Sequence, residues 1–234
     1  MKALVVDDEP LARRELRRLL TAFPSFQVVG EAGNIDDARA RIEELDPDVV
    51  FLDIQMPGGS GFDLLTQLDR LPRIVFTTAY DQYAVKAFEV NALDYLLKPI
   101  EPERLAQALQ KIQAARAPAA GRGAPLEQLF VRDGPRCWFV PLREVSLFSA
   151  EGNYVRMSWG NERPLLGRSL AALEQKLDAR RFFRANRHQV FNLDFVADVE
   201  LGEGGRLHVQ LRDGPEVEIS RRQARLFRAR TSLG

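Results

Sequence analysis

An unbroken apolar run that ends in a carboxylate and a glycine-rich loop constrains the fold of this chain more than any other stretch. Residues 49–52 form the run, Asp53 ends it, and residues 57–61 supply one proline and three glycines. Such a run is typical of a strand that is buried on both faces of a parallel sheet. Ligands of open α/β sheets bind beyond the carboxyl ends of the strands. Asp53 is therefore expected at a ligand site, although a helix cap or a solvated strand end would explain one aspartate alone.

The first half of the chain repeats a strand-then-helix pattern five times. Short apolar runs predict strands at residues 3–6, 28–29, 49–52, 74–76 and 95–97. Helical patterns predict a helix from residue 10 onward and further helices at residues 38–45, 62–71, 82–90 and 102–115. Strands that alternate with helices in this way predict an α/β fold with a doubly wound, five-stranded parallel sheet.

Polar side chains occur where four of these strands end. They are Asp7 and Asp8 after the first strand, Asp53 after the third, Thr78 after the fourth and Lys98 after the fifth. Because these strand ends converge on one edge of the sheet, the side chains are expected to meet there. Three carboxylates repel one another unless a cation lies among them, and oxygen ligands suit Mg²⁺. A carboxylate held by Mg²⁺ and a lysine can attack a phosphoryl group, whose oxygens the lysine and a threonine would then bind.

At these residues the first half resembles the receiver domain of a two-component response regulator. The matching segments are residues 5–10, 52–57 with Gly61, 77–80 and 95–99. The resemblance implies that Asp53 accepts a phosphoryl group from a histidine kinase. It also implies a Mg²⁺ site, formed by Asp7 or Asp8, or both, together with Asp53 and the backbone carbonyl of Gln55.

The same resemblance implies roles for residues of the last two strands. Lys98 and Thr78 would bind the phosphoryl oxygens, and Thr78 is preferred to Thr77 because it directly precedes Ala79. Tyr95 would be an aromatic switch that turns inward as Thr78 moves.

An aspartate-nucleophile phosphatase of the haloacid dehalogenase type is the enzymatic alternative, because it also uses Asp, Thr, Lys and Mg²⁺. In that class the nucleophile ends the first strand in an Asp-x-Asp pattern. Here the first strand is followed by Asp7 and Asp8, and the lone Asp53 follows the third strand. The sequence therefore predicts a regulator and not an enzyme.

The two halves carry opposite charge although the whole chain is neutral. Residues 1–113 have a net charge of −6 and residues 114–234 a net charge of +6. A basic half favours contact with a polyanion. Residues 114–125 contain no aromatic or β-branched side chain, so they cannot bury a core and indicate a flexible connection. The expected organisation is a receiver domain at 1–115, a linker at 116–126 and a second domain at 127–234.

Short β runs replace the strand-then-helix pattern in the second half. They lie at residues 130–131, 137–140, 145–148, 154–159, 182–183, 190–191, 196–201, 207–211 and 217–219. Helical patterns occur only at residues 169–177 and, with many arginines, at 221–230. Alternation of apolar and polar residues at 206–211 indicates a strand with one buried face, so this half is expected to be mostly antiparallel β.

The order of these segments resembles a LytTR-type DNA-binding domain. The matching segments are residues 145–155, 168–170, 182–193 and 219–222. In that family, loops on one side of an elongated β fold enter successive major grooves of double-stranded DNA. The residues that the resemblance places at DNA are Asn153, Tyr154, Arg184, Asn186, Arg187, Arg221 and Arg222.

Within that set, Asn153 or Tyr154, Arg187 and Arg222 rank first as base or phosphate contacts. Asn186 stands where the family often has histidine, and Asn192 is expected to order the backbone. Arginine and asparagine are the residue types that read guanine and adenine edges. A module that binds RNA or protein is the alternative for this basic half.

The combined expectation is a cytoplasmic response regulator of the LytTR type. Phosphorylation of Asp53 would favour pairing of two copies through the fourth and fifth strands and their helices, which would place two domains on spaced repeats in promoter DNA. Asp7 comes too early for a signal peptide, and no apolar run approaches the length of a membrane span. Cys137 is the only cysteine, which excludes an intrachain disulfide.

Overall fold

The computed structural model describes residues 1–68, 70–79, 93–114, 125–134 and 136–231. The helix predicted at 82–90, Tyr80 and most of the linker predicted at 116–126 lie outside these ranges. The chain divides into two compact units. One comprises Met1–Ala120 with Gly134–Phe139, and the other comprises Gly121–Asp133 with Val140–Gly234.

The first unit is a five-stranded parallel sheet with helices between its strands. Its strands are β1 (Lys2–Val6), β2 (Gln27–Ala32), β3 (Val49–Asp53), β6 (Arg73–Thr78) and β7 (Asp94–Leu97), with the short pair β4 (Gln55–Met56) and β5 (Gly59–Ser60) after β3. Its described helices are α1 (Pro10–Leu20), α2 (Ile35–Leu45), α3 (Gly61–Gln67) and α4 (Pro102–Ala114). The order β2-β1-β3-β6-β7 confirms the predicted doubly wound parallel sheet.

Strand β3 is the centre of this sheet and is buried at every position. Its side chains alternate between the two faces, so both faces need an apolar cover. Helices α1 and α4 cover one face, where Leu20, Leu105 and Ile112 pack with Phe51. This burial explains why the run at 49–52 has no polar residue, and it places the Asp53 carboxylate at the end of the strand, where it lines a cleft.

Two helix boundaries differ from those predicted. Helix α2 begins at Ile35 and not at residue 38, because the Asn34 side chain accepts a hydrogen bond from the Asp37 amide and caps the helix. Helix α3 ends at Gln67 and not at residue 71, because Leu68 adopts an extended conformation and is buried. Both differences arise from local capping and packing, which the apolar pattern does not encode.

Gly61 packs directly on the strand that carries Asp53. A Cβ atom at this position would clash with the Asp53 carbonyl oxygen and lie 3.0 Å from Leu52 Cγ, while the Gly61 amide donates to the Ile54 carbonyl at 2.9 Å. We expect Gly61→Ala to lower the free energy of unfolding of the first unit by roughly 1–3 kcal/mol, as overpacked sites do. The measurement is urea unfolding followed by helical circular dichroism.

Gly33→Ala is the matched control for that substitution. A Cβ there would meet only the Arg13 guanidinium at 3.4 Å, an ordinary contact with a flexible side chain. Its effect is expected to stay within about 0.5 kcal/mol. Equal unfolding midpoints for the two variants would show that Gly61 is not sterically required.

The second unit is built from antiparallel strands, as predicted. Its strands are β8 (Gln128–Asp133), β10 (Val145–Glu151), β11 (Tyr154–Trp159), β12 (Leu165–Leu166), β13 (Phe182–Arg184), β14 (Gln189–Asn192), β15 (Val196–Leu201), β16 (Leu207–Leu211) and β17 (Glu216–Ile219). Strand β9 (Arg136–Pro141) is divided, with its first residues assigned to the first unit and its last two to the second. The described α-helices are α5 (Leu170–Glu174) and α6 (Arg221–Thr231). A five-stranded sheet has the order β12-β11-β10-β14-β13, and a three-stranded sheet has the order β15-β16-β17.

An aromatic cluster joins helix α6 to both sheets. The ring of Phe183 lies 5.8 Å from that of Phe191 and 5.2 Å from that of Phe227, and these side chains share a core with Val209 and Val217. The alternation predicted at 206–211 is confirmed, with positions 207, 209 and 211 buried. The basic terminal helix therefore has an apolar face in the core, so its first residues are held at a fixed place beside strand β17.

Candidate metal centre and nucleic-acid interface

Three carboxylates meet at the carboxyl edge of the parallel sheet. Asp7 follows β1 and Asp53 ends β3, and these neighbouring strands are in register with Val6 opposite Leu52. Oxygens of Asp7, Asp8 and Asp53 all lie within 4.8 Å of one another. Sheet geometry alone brings these side chains together, which is the arrangement expected from the strand ends.

Lys98 lies between two of these carboxylates. Its Nζ is 2.6 Å from Asp53 Oδ2 and 2.7 Å from Asp7 Oδ2, and its side chain is 17% exposed. The Lys98 amide donates to the Thr78 carbonyl at 2.7 Å, which fixes the backbone beside β6. One ammonium cannot neutralise three carboxylates, so the cluster retains an excess of negative charge.

Burial changes the protonation behaviour of this cluster. Burial raises the pKa of Asp53, although hydrogen bonds from Lys98 and the Gln55 amide and the charge of Lys98 oppose that rise. Burial lowers the pKa of Lys98, but its hydrogen bonds to Asp53 and Asp7 outweigh this effect and raise the pKa overall. A positive ion beside Asp53 would therefore stabilise a carboxylate that burial destabilises.

The cluster opens into a cleft of about 340 Å³. Its lining residues are Asp8, Glu9, Asp53, Gln55, Met56, Pro57, Thr78, Ala79 and Lys98. The cluster offers carboxylate oxygens with excess negative charge, and these fit Mg²⁺. The residues that would hold the ion are Asp7, Asp8, Asp53 and the backbone carbonyl of Gln55. Thr78 is buried and lines the same cleft, on the side of strand β6.

Glu9 is a cleft residue that the sequence patterns did not identify. Its amide donates to Asp7 Oδ1 at 3.0 Å, so the turn after β1 folds back on the cluster. Glu9 precedes Pro10 at the start of α1, and there the sequence suggested only a helix start. The acidic run from Asp7 to Glu9 was the available signal.

Tyr95 lies next to a partly buried ion pair that the sequence also did not reveal. The Asp94 carboxylate, only 2% exposed, accepts from both Nη atoms of Arg104 and pairs with Lys111 at 3.1 Å. Arg104 Nη2 also donates to the Tyr95 carbonyl at 2.8 Å, and its guanidinium lies 5.8 Å from the centre of the Tyr95 ring. Burial raises the pKa of Asp94, but Arg104, the Tyr95 amide and Lys111 outweigh it and hold the pKa below its usual value. Helix α4 thus fixes the backbone on both sides of this half-buried tyrosine.

In the second unit, three chain segments converge at one end of the larger sheet. The Ala150 amide donates to the His188 carbonyl at 2.7 Å, which places the β10–β11 turn beside the β13–β14 turn. The Ser220 amide donates to the Ala185 carbonyl at 3.0 Å, which places the start of α6 beside the same turn. The segments that the sequence assigned to DNA contact therefore form one surface, which we call the arginine edge: residues 152–154, 185–188 and 220–222.

The side chains at the arginine edge differ in exposure and in how many of their hydrogen-bonding groups are already bonded within the protein. The exposed ones are Asn153, Tyr154, Arg187, Arg221 and Arg222. Arg187 Nε donates to His188 Nε2 at 2.7 Å. Arg184 and Asn186 are half-buried, and their side chains bond to the protein itself. Arg181 belongs to the other end of β13, where it pairs with Asp194 at 3.0 Å.

Asn192 orders the backbone, as expected from the sequence. It is fully buried, its Nδ2 donates to the Val145 carbonyl at 2.9 Å, and its Oδ1 accepts from the Asp194 amide at 3.0 Å. The residue thus holds the start of β10 against the end of β14, away from solvent.

Among the helices described, none combines the length and apolar character that a membrane crossing requires.

Comparison with known proteins supports two modules. Residues 3–110 match the response regulator receiver domain, and residues 136–232 match the LytTr DNA-binding domain. The sensory transduction protein LytT of Enterococcus faecalis is 35% identical over 241 aligned residues, which cover 100% of both chains. The transcriptional regulatory protein BtsR of Escherichia coli is 36% identical over 95% of both chains.

Solved structures of response regulator domains also match part of this chain. The response regulatory domain of MrkE from Klebsiella pneumoniae is 37% identical, with a TM-score of 0.44, and the match covers 49% of this chain and 96% of that one.

Proposed function

Because this chain belongs to the two-component response regulators that join a receiver domain to a LytTR DNA-binding domain and regulate transcription, we propose that phosphorylation of Asp53 controls its dimerisation and its sequence-specific binding to DNA. The phosphoryl donor is a cognate histidine kinase. The site of action is the cytoplasm, where promoter DNA is found. The proposed bounds are a receiver at 1–115, a linker at 116–126 and a DNA-binding domain at 127–234.

The observation that carries the first step is the position of Asp53. Its carboxylate lines an open cleft together with Thr78 and Lys98, and it is paired with the ammonium of Lys98 at 2.6 Å. An Asp53 oxygen attacks phosphorus, the bond from phosphorus to the kinase histidine nitrogen breaks, and the nitrogen keeps the electron pair and takes up a proton. The product is an acyl phosphate on Asp53.

The residues around Asp53 suit the charge of that product. Lys98 is already within hydrogen-bond distance of Asp53 and supplies an ammonium to a phosphoryl oxygen, and the Thr78 hydroxyl is the second donor. Asp7, Asp8, Asp53 and the Gln55 carbonyl would hold Mg²⁺, which would supply positive charge to balance the phosphoryl oxygens. The carboxylates of Asp7 and Asp8 would position that ion beside Asp53.

Movement of Thr78 toward the phosphoryl group would shift the conformational equilibrium of the receiver. We propose that Tyr95 turns inward with it, which changes the surface formed by β6, β7 and helix α4. Two copies pair through this surface. Pairing places two DNA-binding domains on spaced repeats, where Asn153 or Tyr154, Arg187, Arg221 and Arg222 contact bases or phosphates.

The test is capture of genomic DNA fragments by the purified protein, with and without acetyl phosphate and Mg²⁺. Wild type treated with the phosphodonor is expected to enrich a spaced repeat at least about tenfold over untreated protein, because two linked domains bind one duplex more tightly than one. Asp53→Asn is expected to show the untreated level in both conditions. Asp36→Asn, which changes an exposed carboxylate on α2, is the matched control and is expected to behave as wild type.

Different failures identify different steps. If Asp53→Asn dimerises and binds DNA as treated wild type does, phosphorylation of Asp53 is not the control. If no variant enriches any duplex in any condition, the arginine edge binds RNA or protein instead. A steep fall of affinity with salt, seen for duplex DNA and for no other ligand, would exclude that reading.

A further inference from the structure

A single guanidinium clamps the turn that presents Arg187. Arg184 is the last residue of β13, and its side chain, 20% exposed, folds over the turn at 185–188. Its Nε donates to the Asn186 carbonyl, and its Nη2 donates to the Arg187 carbonyl at 2.7 Å. One planar group therefore holds two successive carbonyls of the turn.

The clamp is anchored on a different element. Arg184 Nη1 donates to Glu174 Oε2 at 2.6 Å, and Glu174 ends helix α5. Each of the three guanidinium nitrogens thus has an acceptor within the protein. The fork geometry of arginine suits this set, whereas the single ammonium of lysine cannot reach the same three acceptors at once.

Asn186 ties the same turn to the start of helix α6. Its Oδ1 accepts from the His188 amide at 2.8 Å, and its Nδ2 donates to Gln189 Oε1 at 2.9 Å and to the Glu218 carbonyl at 2.7 Å. Glu218 lies in β17, three residues before Arg221. The two side chains together fix the distance between the turn that carries Arg187 and the helix start that carries Arg221 and Arg222.

We propose that Arg184 and Asn186 are positioning residues, which act on DNA through Arg187 and the start of α6 and do not touch it themselves. This role replaces the direct contact that the sequence pattern suggested for both. It rests on the proposed DNA binding by the arginine edge. Rigid placement matters there because a bidentate arginine contact with a base edge depends on geometry.

The first test needs no DNA. The rate of amide hydrogen exchange in the free full-length protein measures how stable the turn at 185–188 is. Two of its amides are hydrogen-bonded, because the His188 amide donates to Asn186 Oδ1 and the Ala185 amide donates to the Gln189 carbonyl. Arg184→Lys keeps the charge but loses the fork, and it is expected to speed exchange at His188 about tenfold or more. Arg180→Lys, an exposed arginine before the other end of β13, is the control and should leave this exchange unchanged.

The second test measures affinity for the duplex enriched by wild type, over a series of salt concentrations. Arg184→Lys and Arg184→Ala are both expected to bind about tenfold more weakly, with the slope of log affinity against log salt unchanged. A phosphate contact by Arg184 predicts something else: the lysine variant keeps its affinity and the alanine variant loses about one unit of slope. Wild-type affinity in Arg184→Lys, or a salt slope reduced by about one unit in Arg184→Ala, would overturn the positioning role.

Glu174→Ala covers the case in which Arg184→Ala does not fold. Removing this carboxylate makes the arginine edge more positive, so electrostatics alone predicts tighter DNA binding. The positioning role predicts weaker binding, because Arg184 loses its anchor. Equal or tighter binding by Glu174→Ala contradicts the proposal.

The outcomes separate this proposal from the function on which it rests. Wild type that binds no duplex would remove the DNA function, while exchange at His188 would still decide whether Arg184 holds the turn. Wild type that binds its repeat, with Arg184→Lys equal to it in affinity and exchange, would remove the positioning role alone.

Discussion

Lys98→Ala is expected to slow phosphorylation of Asp53 by about 100-fold or more, which is the loss seen when one preorganised donor to a developing anion is removed. Lys98 is the cation that both Asp7 and Asp53 share, at 2.7 and 2.6 Å. Its removal takes away the ammonium that would bind a phosphoryl oxygen. The measurement is the rate of phosphoryl incorporation from acetyl phosphate, followed by intact mass after an acid quench.

Stabilisation by Mg²⁺ shows whether Lys98→Ala is slow because the ammonium is missing or because the variant is not folded. Three carboxylates without Lys98 attract a divalent cation more strongly, so Mg²⁺ is expected to stabilise Lys98→Ala against unfolding at least as much as wild type. Arg39→Ala, which removes an exposed cation on helix α2, is the matched control and should phosphorylate at the wild-type rate. If Asp53 of the Lys98→Ala variant is phosphorylated at the wild-type rate, a residue other than Lys98 binds the phosphoryl oxygen.

Arg187→Ala is expected to weaken binding to the specific repeat by roughly 1–3 kcal/mol per domain, about 5-fold to 150-fold. Arg187 is exposed at the tip of the turn that Arg184 holds, and its guanidinium has only the His188 ring as a hydrogen-bond partner among the interactions resolved for the described residues. Loss of a base contact should relax the sequence preference at one position of each repeat. Loss of a phosphate contact should lower affinity for all sequences and reduce the salt slope by about one unit.

The matched control for Arg187 is Arg143→Ala. The Arg143 side chain is 69% exposed, and it precedes the start of β10, whereas the opposite end of that strand leads to the arginine edge. The two substitutions remove the same charge, so a general electrostatic effect would weaken binding equally in both. Affinity unchanged in Arg187→Ala would remove this residue from the interface.

The Asp53 site could be anticipated because its geometry follows from chain order. Apolar runs located β1, β3, β6 and β7, and parallel strands that share a sheet must bring their carboxyl ends to one edge. The approach of Asp7, Asp53 and Lys98 required no knowledge of side-chain packing. Which of Asp7 and Asp8 would bind Mg²⁺ was left open by the sequence. In the structure, Asp7 is buried and Asp8 lines the cleft.

The ion pair beside Tyr95 could not be anticipated in the same way. Asp94 and Arg104 are ten residues apart on a strand and a helix, and no periodic pattern links them. Their pairing depends on how helix α4 packs against β7. The pattern predicted the helix, but the residues that face Tyr95 follow from the angle and depth at which the helix lies on the sheet.

Apolar periodicity and strand order in the sequence determined the parallel sheet and the meeting of Asp7, Asp8, Asp53, Thr78 and Lys98 at one edge, and residue counts gave the division of charge. Only the tertiary structure decided which residues of the basic half are free to reach a ligand. Arg184 and Arg187 are the same residue type three positions apart. The Arg184 guanidinium donates to Glu174 and to two backbone carbonyls, whereas the Arg187 side chain is exposed. The physical reason is that a side-chain donor forms a hydrogen bond only with an acceptor that lies within about 3 Å. Which acceptors lie that close to an arginine depends on how distant chain segments pack, and the sequence around the arginine does not specify that packing.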